Sequence, residues 1–282
     1  MKLAYSTNAF TRTDLFTAIE KVSELGFDGV EILCDHPHWH PGKVTAQELQ
    51  DCQALLQKVG LGVSNLNANT ANIHYDPLPP ENIFEPSLHN ADETLRQWRQ
   101  NYTIEALKLA KVLNARAVSV TSGHPNNAMD PEESLALFID SLKIICREAE
   151  RLQVPVGIEY EPGLLVERGS EALAVIEAVN SPMLGINLDI GHSYLDGESP
   201  EATIESFAGR IWNVHVEDIR GKKHFHLVPG EGDLPFERYF KALDSIAYDG
   251  YLTVEVYTYP NKPEEVGQKS HRYLKNLLSE LF

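Results

Sequence analysis

Eight short apolar runs, each followed by a stretch of helical spacing, limit most sharply what this chain can fold into. The runs lie at 2–7, 29–33, 61–67, 117–121, 154–159, 184–189, 210–215 and 252–256. They are short, rich in Val, Ile and Leu, and mostly bounded by turn-forming residues, which reads as strands. Residues 14–25, 46–59, 92–113, 132–152, 170–179, 201–207, 236–246 and 266–281 carry apolar side chains at helical spacing, and Gly26 and Gly60 stop the first two. Strict strand–helix alternation makes the strands parallel and the helices crossovers. Eight such units in 282 residues predict one (β/α)8 TIM barrel spanning 1–282. A dinucleotide-binding sheet is disfavoured, because no GxGxxG follows the first strand.

One connection breaks the rhythm. Residues 69–90 are polar and Pro-containing, too long for an ordinary loop, and so read as a lid or binding loop. Tyr75 and Phe84 within it, and Trp98 just after, would close over a site.

In such a barrel the chemistry belongs at the C-terminal strand ends. The fifth to eighth strands end in Glu159, Asp189, His215 and Glu255. Each has a plain explanation alone, as a cap or a core histidine. Together they would repel one another strongly unless a cation lay among them. Three carboxylates and one imidazole suit one divalent ion, Mn2+ first, with Mg2+, Co2+ and Zn2+ as alternatives. Asp189-Ile190-Gly191-His192 reads as a strand ending in an acid, a glycine turn and a loop histidine. Beyond the seventh strand, His224 and His226 are open as ligands, substrate contacts or solvated loop, and Gly230-Glu231-Gly232-Asp233 reads as a tight turn. Asp35, His36, His38 and His40 around Trp39 read as a site wall or mobile loop, since no carboxylate spacing completes a coordination sphere.

The formal charge of −17 excludes an extended phosphate backbone as partner, so no nucleic acid is expected. No apolar run reaches membrane-spanning length and no signal core opens the chain. Cys34, Cys52 and Cys146 are far apart without a CxxC, which fits reduced thiols. A cytoplasmic protein without membrane contact is the simple expectation. A homo-oligomer is left open.

At these residues the chain resembles the sugar isomerase/epimerase-like (xylose isomerase-like) barrels, a superfamily that extends to the endonuclease IV-type nucleases. The resemblance runs over essentially the whole chain. It is carried by Ile158-Glu159, by Asp189-Ile190-Gly191-His192, by His215-Val216-Glu217-Asp218 with His226 and Gly230-Glu231-Gly232 behind it, and by Val254-Glu255. It implies that Glu159, Asp189, His215 and Glu255 hold one divalent metal and that His192 contacts substrate. His226, Arg220, Lys222, His124 and Asn67 join His192 as candidate substrate-binding residues, with Arg220 or Lys222 for hydroxyls or a phosphate. The three-zinc nuclease branch needs a third-strand histidine, where this chain has Asn65, Asn67 and Asn69. It also has His224 where that branch has an aspartate.

The activity this implies is isomerisation or epimerisation of a small sugar-like hydroxy-carbonyl compound through an enediolate. Glu159 and Glu255 would be the acid/base pair, contributing about 10²–10⁴-fold. A lyase or dehydratase on the same scaffold and a non-catalytic metabolite-binding protein are the rivals, with a phosphodiesterase behind them.

Overall fold

The computed structural model describes residues 1–282. Strands β1 (Lys2–Ser6), β2 (Gly29–Leu33), β3 (Gly62–Asn67), β4 (Val118–Val120), β5 (Val156–Ile158), β6 (Leu184–Asp189), β7 (Ile211–Val216) and β10 (Tyr251–Val254) form a closed parallel barrel in the order β1-β10-β7-β6-β5-β4-β3-β2. Helices α1 (Leu15–Glu24), α2 (Ala46–Val59), α3 (Glu93–Leu113), α4 (Pro131–Leu152), α5 (Gly169–Val179), α7 (Pro200–Ser206), α8 (Phe236–Ser245) and α9 (Pro263–Leu281) alternate with the strands, as the periodicity predicts. The strands read as continuous apolar runs because helices cover their outer faces while the barrel interior covers the other.

Local chemistry sets the helix ends. Thr45 and Glu48 form a reciprocal capping box at the start of α2, and Gly60 ends it with φ of +74°. Asp92 and Asp130 accept backbone N–H groups at the starts of α3 and α4. The last helix closes the barrel on the first strand. Tyr5 donates to the Pro263 carbonyl at 2.9 Å, and a Cβ on Gly267 would lie 2.4 Å from the Tyr5 ring. Only glycine allows that approach.

Two departures from the sequence reading bear on the site. The loop expected after β6 is a helix, α6 (Ile190–Leu195). Asp189 caps it, Oδ1 accepting the His192 N–H at 2.8 Å, so Asp-x-x-His is an N-cap and its third helical residue rather than a turn. Past β7, the expected loop is an antiparallel hairpin of β8 (Asp218–Arg220) and β9 (Lys223–Leu227). Asp218 anchors the Gly-Glu-Gly-Asp turn behind it by accepting from the N–H groups of Gly230, Gly232 and Leu234.

The barrel interior is polar towards the C-terminal end. The register shifts by one residue at Ser64 between β2 and β3, and at Trp212 between β6 and β7. Such bulges re-aim side chains near sites. Here they accompany an inward ladder in which Asn213 donates to Asn187 at 2.8 Å and Thr253 donates to Asn213 at 2.8 Å.

Candidate metal centre and substrate cavity

Glu159 follows β5, Asp189 ends β6, His215 lies near the end of β7 and Glu255 follows β10. Their exposures are 3%, 1%, 0% and 5%, and one donor atom from each falls within 4.8 Å of the others. His215 Nδ1 is 3.0 Å from Glu159 Oε2 and 3.4 Å from Glu255 Oε2. The barrel therefore converges the four sequence-predicted donors on one point.

Three of the four donors are held from behind by side chains. His215 Nε2 lies 2.6 Å from Glu31 Oε2. Glu31 is itself fully buried and takes hydrogen bonds from Ser6 (2.7 Å), Asn65 (2.8 Å) and Asn67 (3.1 Å). With Nε2 engaged by a carboxylate, Nδ1 is the nitrogen turned to the other three donors. Asn69 donates to Glu159 Oε2 at 2.9 Å, and Asn187 donates to the same oxygen. Asn8 and Asn67 donate to Glu255 Oε1 at 2.8 and 3.3 Å.

The electrostatics call for a cation. Burial alone would push the His215 imidazole down, but Glu159, Glu255 and Glu31 hold it well above the usual histidine range. Burial would raise Glu31, yet His215 and the hydrogen bonds from Asn65 and Ser6 bring it below the usual carboxylate range. Glu255 is pushed well up, first by burial, then by the neighbouring carboxylates against the opposing pull of His215. Asp189 Oδ2 is buried with no hydrogen-bond partner. A buried, unpartnered carboxylate oxygen on a residue clustered with three other oxygen and nitrogen donors fits a divalent ion.

Above this floor opens a cavity of about 380 Å³, three of whose fifteen lining residues are hydrophobic. Asn8, Asn67, Asn69 and Thr70 form one side, His192, His224 and His226 another, and Asn82 and Phe84 reach in from the 69–90 segment. His192 Nδ1 donates to the Tyr160 carbonyl at 3.1 Å, and His226 Nδ1 to the Glu255 carbonyl at 2.9 Å. Burial drops both imidazoles to about 3, so they are neutral at physiological pH. Glu161 also lines the cavity, and burial beside Glu159 and Asp189 pushes its carboxyl well up. Asp35 ties the 69–90 segment down, accepting from Thr70 Oγ1 (2.6 Å) and the N–H groups of Asn72 and Ile73 (2.8 Å each).

His192, His226 and Asn67 stand at the cavity, but Arg220, Lys222 and His124 do not. The β8–β9 hairpin turns at Gly221 with φ of +64°, which leaves Arg220 and Lys222 exposed. The Arg220 guanidinium donates to the Glu231 carbonyl. His124 is exposed, donates to the Gly163 carbonyl at 3.2 Å and meets the Phe84 ring edge-on at 5.1 Å. No lysine or arginine lines the cavity, which removes the expected grip on a phosphate. His38 and His40 pack into the wall around α3 and the 3₁₀ turn after β1, away from the donors.

Sequence alone assigned no site role to Glu31, Asn8, Asn69, Glu161 or Glu217. Glu31 did carry a signal: a glutamate between Val30 and Ile32, in the middle of a wholly buried strand, has to have a partner.

A family model described as xylose isomerase-like TIM barrel matches residues 19–277. Fructoselysine 3-epimerase of Escherichia coli O157:H7 is 24% identical over 285 residues, covering 99% of each chain. Inosose dehydratase of Clostridium beijerinckii is 29% identical over 163 residues, 51% of this chain and 55% of that protein. Among solved structures, the IOLI protein with a zinc atom bound superposes with a TM-score of 0.81 at 19% identity, covering 100% of this chain and 99% of that one.

Proposed function

As the chain belongs to the xylose isomerase-like TIM-barrel family, we propose that it is a divalent-metal-dependent epimerase acting beside the carbonyl of a small, polyhydroxylated substrate. The observation that carries this reading is the pair Glu159 and Glu255. They reach His215 Nδ1 from β10, next to β7, and from β5, two strands away on the other side, and border one cavity. Moving a proton along one face of a carbon needs a single base. Inverting that carbon needs a second group on the opposite face, and this floor supplies two carboxylates. The relative named a 3-epimerase aligns over the full length, whereas the one named a dehydratase aligns over about half.

Glu159, Asp189, His215 and Glu255 would hold the ion, for which Mn2+ is our first choice. When bound, it supplies Lewis acidity to a carbonyl oxygen and its neighbouring hydroxyl. Glu159 keeps Oε1 free of protein hydrogen bonds while Asn69, Asn187 and His215 occupy Oε2, so Oε1 is the oxygen suited to taking a proton. Glu255 is oriented by Asn8 and Asn67 at Oε1 and takes the role of the group that returns one. The neutral His192 and His226 and the cavity amides match hydroxyl groups. With no cavity lysine or arginine, the substrate is uncharged where it is held. Asn82 and Phe84 reach the cavity from the 69–90 segment.

The test is a panel of ketoses incubated in D2O with Mn2+-loaded protein and read by NMR. The reading expects one deuterium at the inverted carbon, and a loss of at least about 10²-fold in Glu255→Gln and in Glu159→Gln. Turnover without exchange at that carbon, or full activity in both variants, contradicts it.

A further inference from the structure

We propose that Arg99 is a positioning residue for Glu159, acting through Asn69. Its bearing on turnover rests on the epimerase reading above, whereas the placement it enforces does not. Arg99 lies in the first half of α3, is 2% exposed and turns its guanidinium to neutral partners. Nη2 donates to the Ala68 carbonyl at 2.5 Å and to the Asn69 carbonyl at 3.2 Å, and Nη1 donates to Thr103 Oγ1 at 3.4 Å. The guanidinium stands 5.5 Å from the centre of the Tyr102 ring. Asp35 answers its charge only through space.

Burying a cation without a hydrogen-bonded anion is unfavourable, and an unbranched apolar side chain such as Met would fill much of the same space without that cost. What arginine adds is a rigid, planar fork of donors. The carbonyls it grips lie where β3 runs out, since Ala68 and Asn69 directly follow Asn67. Other bonds hold the same two residues in place. The Ala68 N–H donates to the Ser119 carbonyl at 3.1 Å, Thr121 Oγ1 donates to the Asn69 carbonyl at 2.8 Å, and the Asn69 N–H donates to Asn67 Oδ1 at 3.2 Å. Clamped in this way, Asn69 presents its amide to Glu159 Oε2 at 2.9 Å. That contact leaves Oε1 as the oxygen for the proton. Arg99 itself is absent from the cavity wall, so it acts on the glutamate only through Asn69.

The experiment is a double-mutant cycle on Arg99→Met and Asn69→Ala in the Mn2+-loaded full chain. It is read as kcat and KM on the ketose that the wild type turns over, with a thermal melt of each protein. Arg99→Met should fold and lower kcat at least about 10-fold with KM within about twofold, because a misplaced group costs rate. In the Asn69→Ala background the same change should cost less than about twofold more, since the amide that Arg99 aims is gone. Losses that multiply, or an unchanged kcat in Arg99→Met, overturn the proposal. If Arg99→Met does not fold, Arg99→Lys, which keeps the charge without the fork, runs the same cycle. Failure of both to fold makes Arg99 structural and overturns it too. A wild type that turns over no ketose removes the epimerase reading, and a crystal structure of the folded Arg99 variant then decides the placement. An Asn69 amide out of hydrogen-bond reach of Glu159 upholds it, and an unmoved amide removes it.

Discussion

The floor of the cavity and its rim are built by opposite rules. On the floor, donors stand at strand ends and three of the four are gripped by neighbouring side chains: His215 by Glu31, Glu159 by Asn69 and Asn187, Glu255 by Asn8 and Asn67. Strands locked into a barrel cannot slide singly, so these positions are fixed by the fold. The rim is made of the 69–90 segment and the β8–β9 hairpin, where Leu78, Ile83 and Phe225 stay exposed and one buried acid, Asp35, does much of the anchoring. The floor is suited to chemistry, which tolerates little displacement. The rim is suited to admitting and enclosing a substrate.

If that division holds, substitutions on the floor and on the rim should fail differently. The largest effect beyond the acid/base pair is expected at Glu31. Glu31→Gln should weaken metal binding by about 10–100-fold by removing the carboxylate behind His215, measured by competition with a fluorescent chelator. Unchanged affinity would mean that the floor is not organised through Glu31. On the rim, Asp35→Asn should raise KM and the rate of proteolytic cleavage within 69–90, leaving metal affinity alone. It should cost about 1–3 kcal/mol of stability for the weakened charged hydrogen bonds. A drop in metal affinity instead would break the separation of the two regions.

A third test uses His38, in the wall between them. Its Nε2 donates to the Thr13 carbonyl at 3.2 Å, and its Nδ1 accepts from Thr7, whose oxygen in turn takes the Leu33 N–H. Burial lowers this imidazole to about 4, so the unfolded chain binds the proton more tightly. The stability contributed by the neutral ring is therefore complete above about pH 6.5 and lost as pH falls towards 4, by up to about 3 kcal/mol. Denaturant melts of wild type and His38→Gln between pH 7 and 4 should converge on the acid side. The smallest effect is expected at Arg220→Ala and Lys222→Ala, with kcat/KM within about twofold of wild type in an assay on the preferred ketose. A large loss there would place the substrate against the exposed turn of the hairpin.

The barrel and the four converging donors were legible in the sequence because both follow from periodicity. Strand–helix alternation gives the topology, and the last polar residue of a barrel strand has one place to go. Their supports were harder to read. Asn8 and Asn69 lie just past strands, in a 3₁₀ turn and an irregular loop, and their aim depends on backbone that pattern does not specify. Arg220 and Lys222 looked like substrate residues by proximity in sequence. A hairpin turned them outward, and only the antiparallel pairing of 218–227 reveals that. Helix α6 hid behind Gly191, which reads as a turn residue and instead clears space for Glu217.

The central claim is that the barrel floor holds a divalent ion between Glu159, Asp189, His215 and Glu255. The most direct test is a crystal of Mn2+-soaked protein, measured for anomalous scattering at the manganese edge. The account predicts a peak within bonding distance of all four residues, about 2.0–2.4 Å from their donor atoms. A map with no peak on the floor, or with manganese only at exposed surface carboxylates, would contradict it.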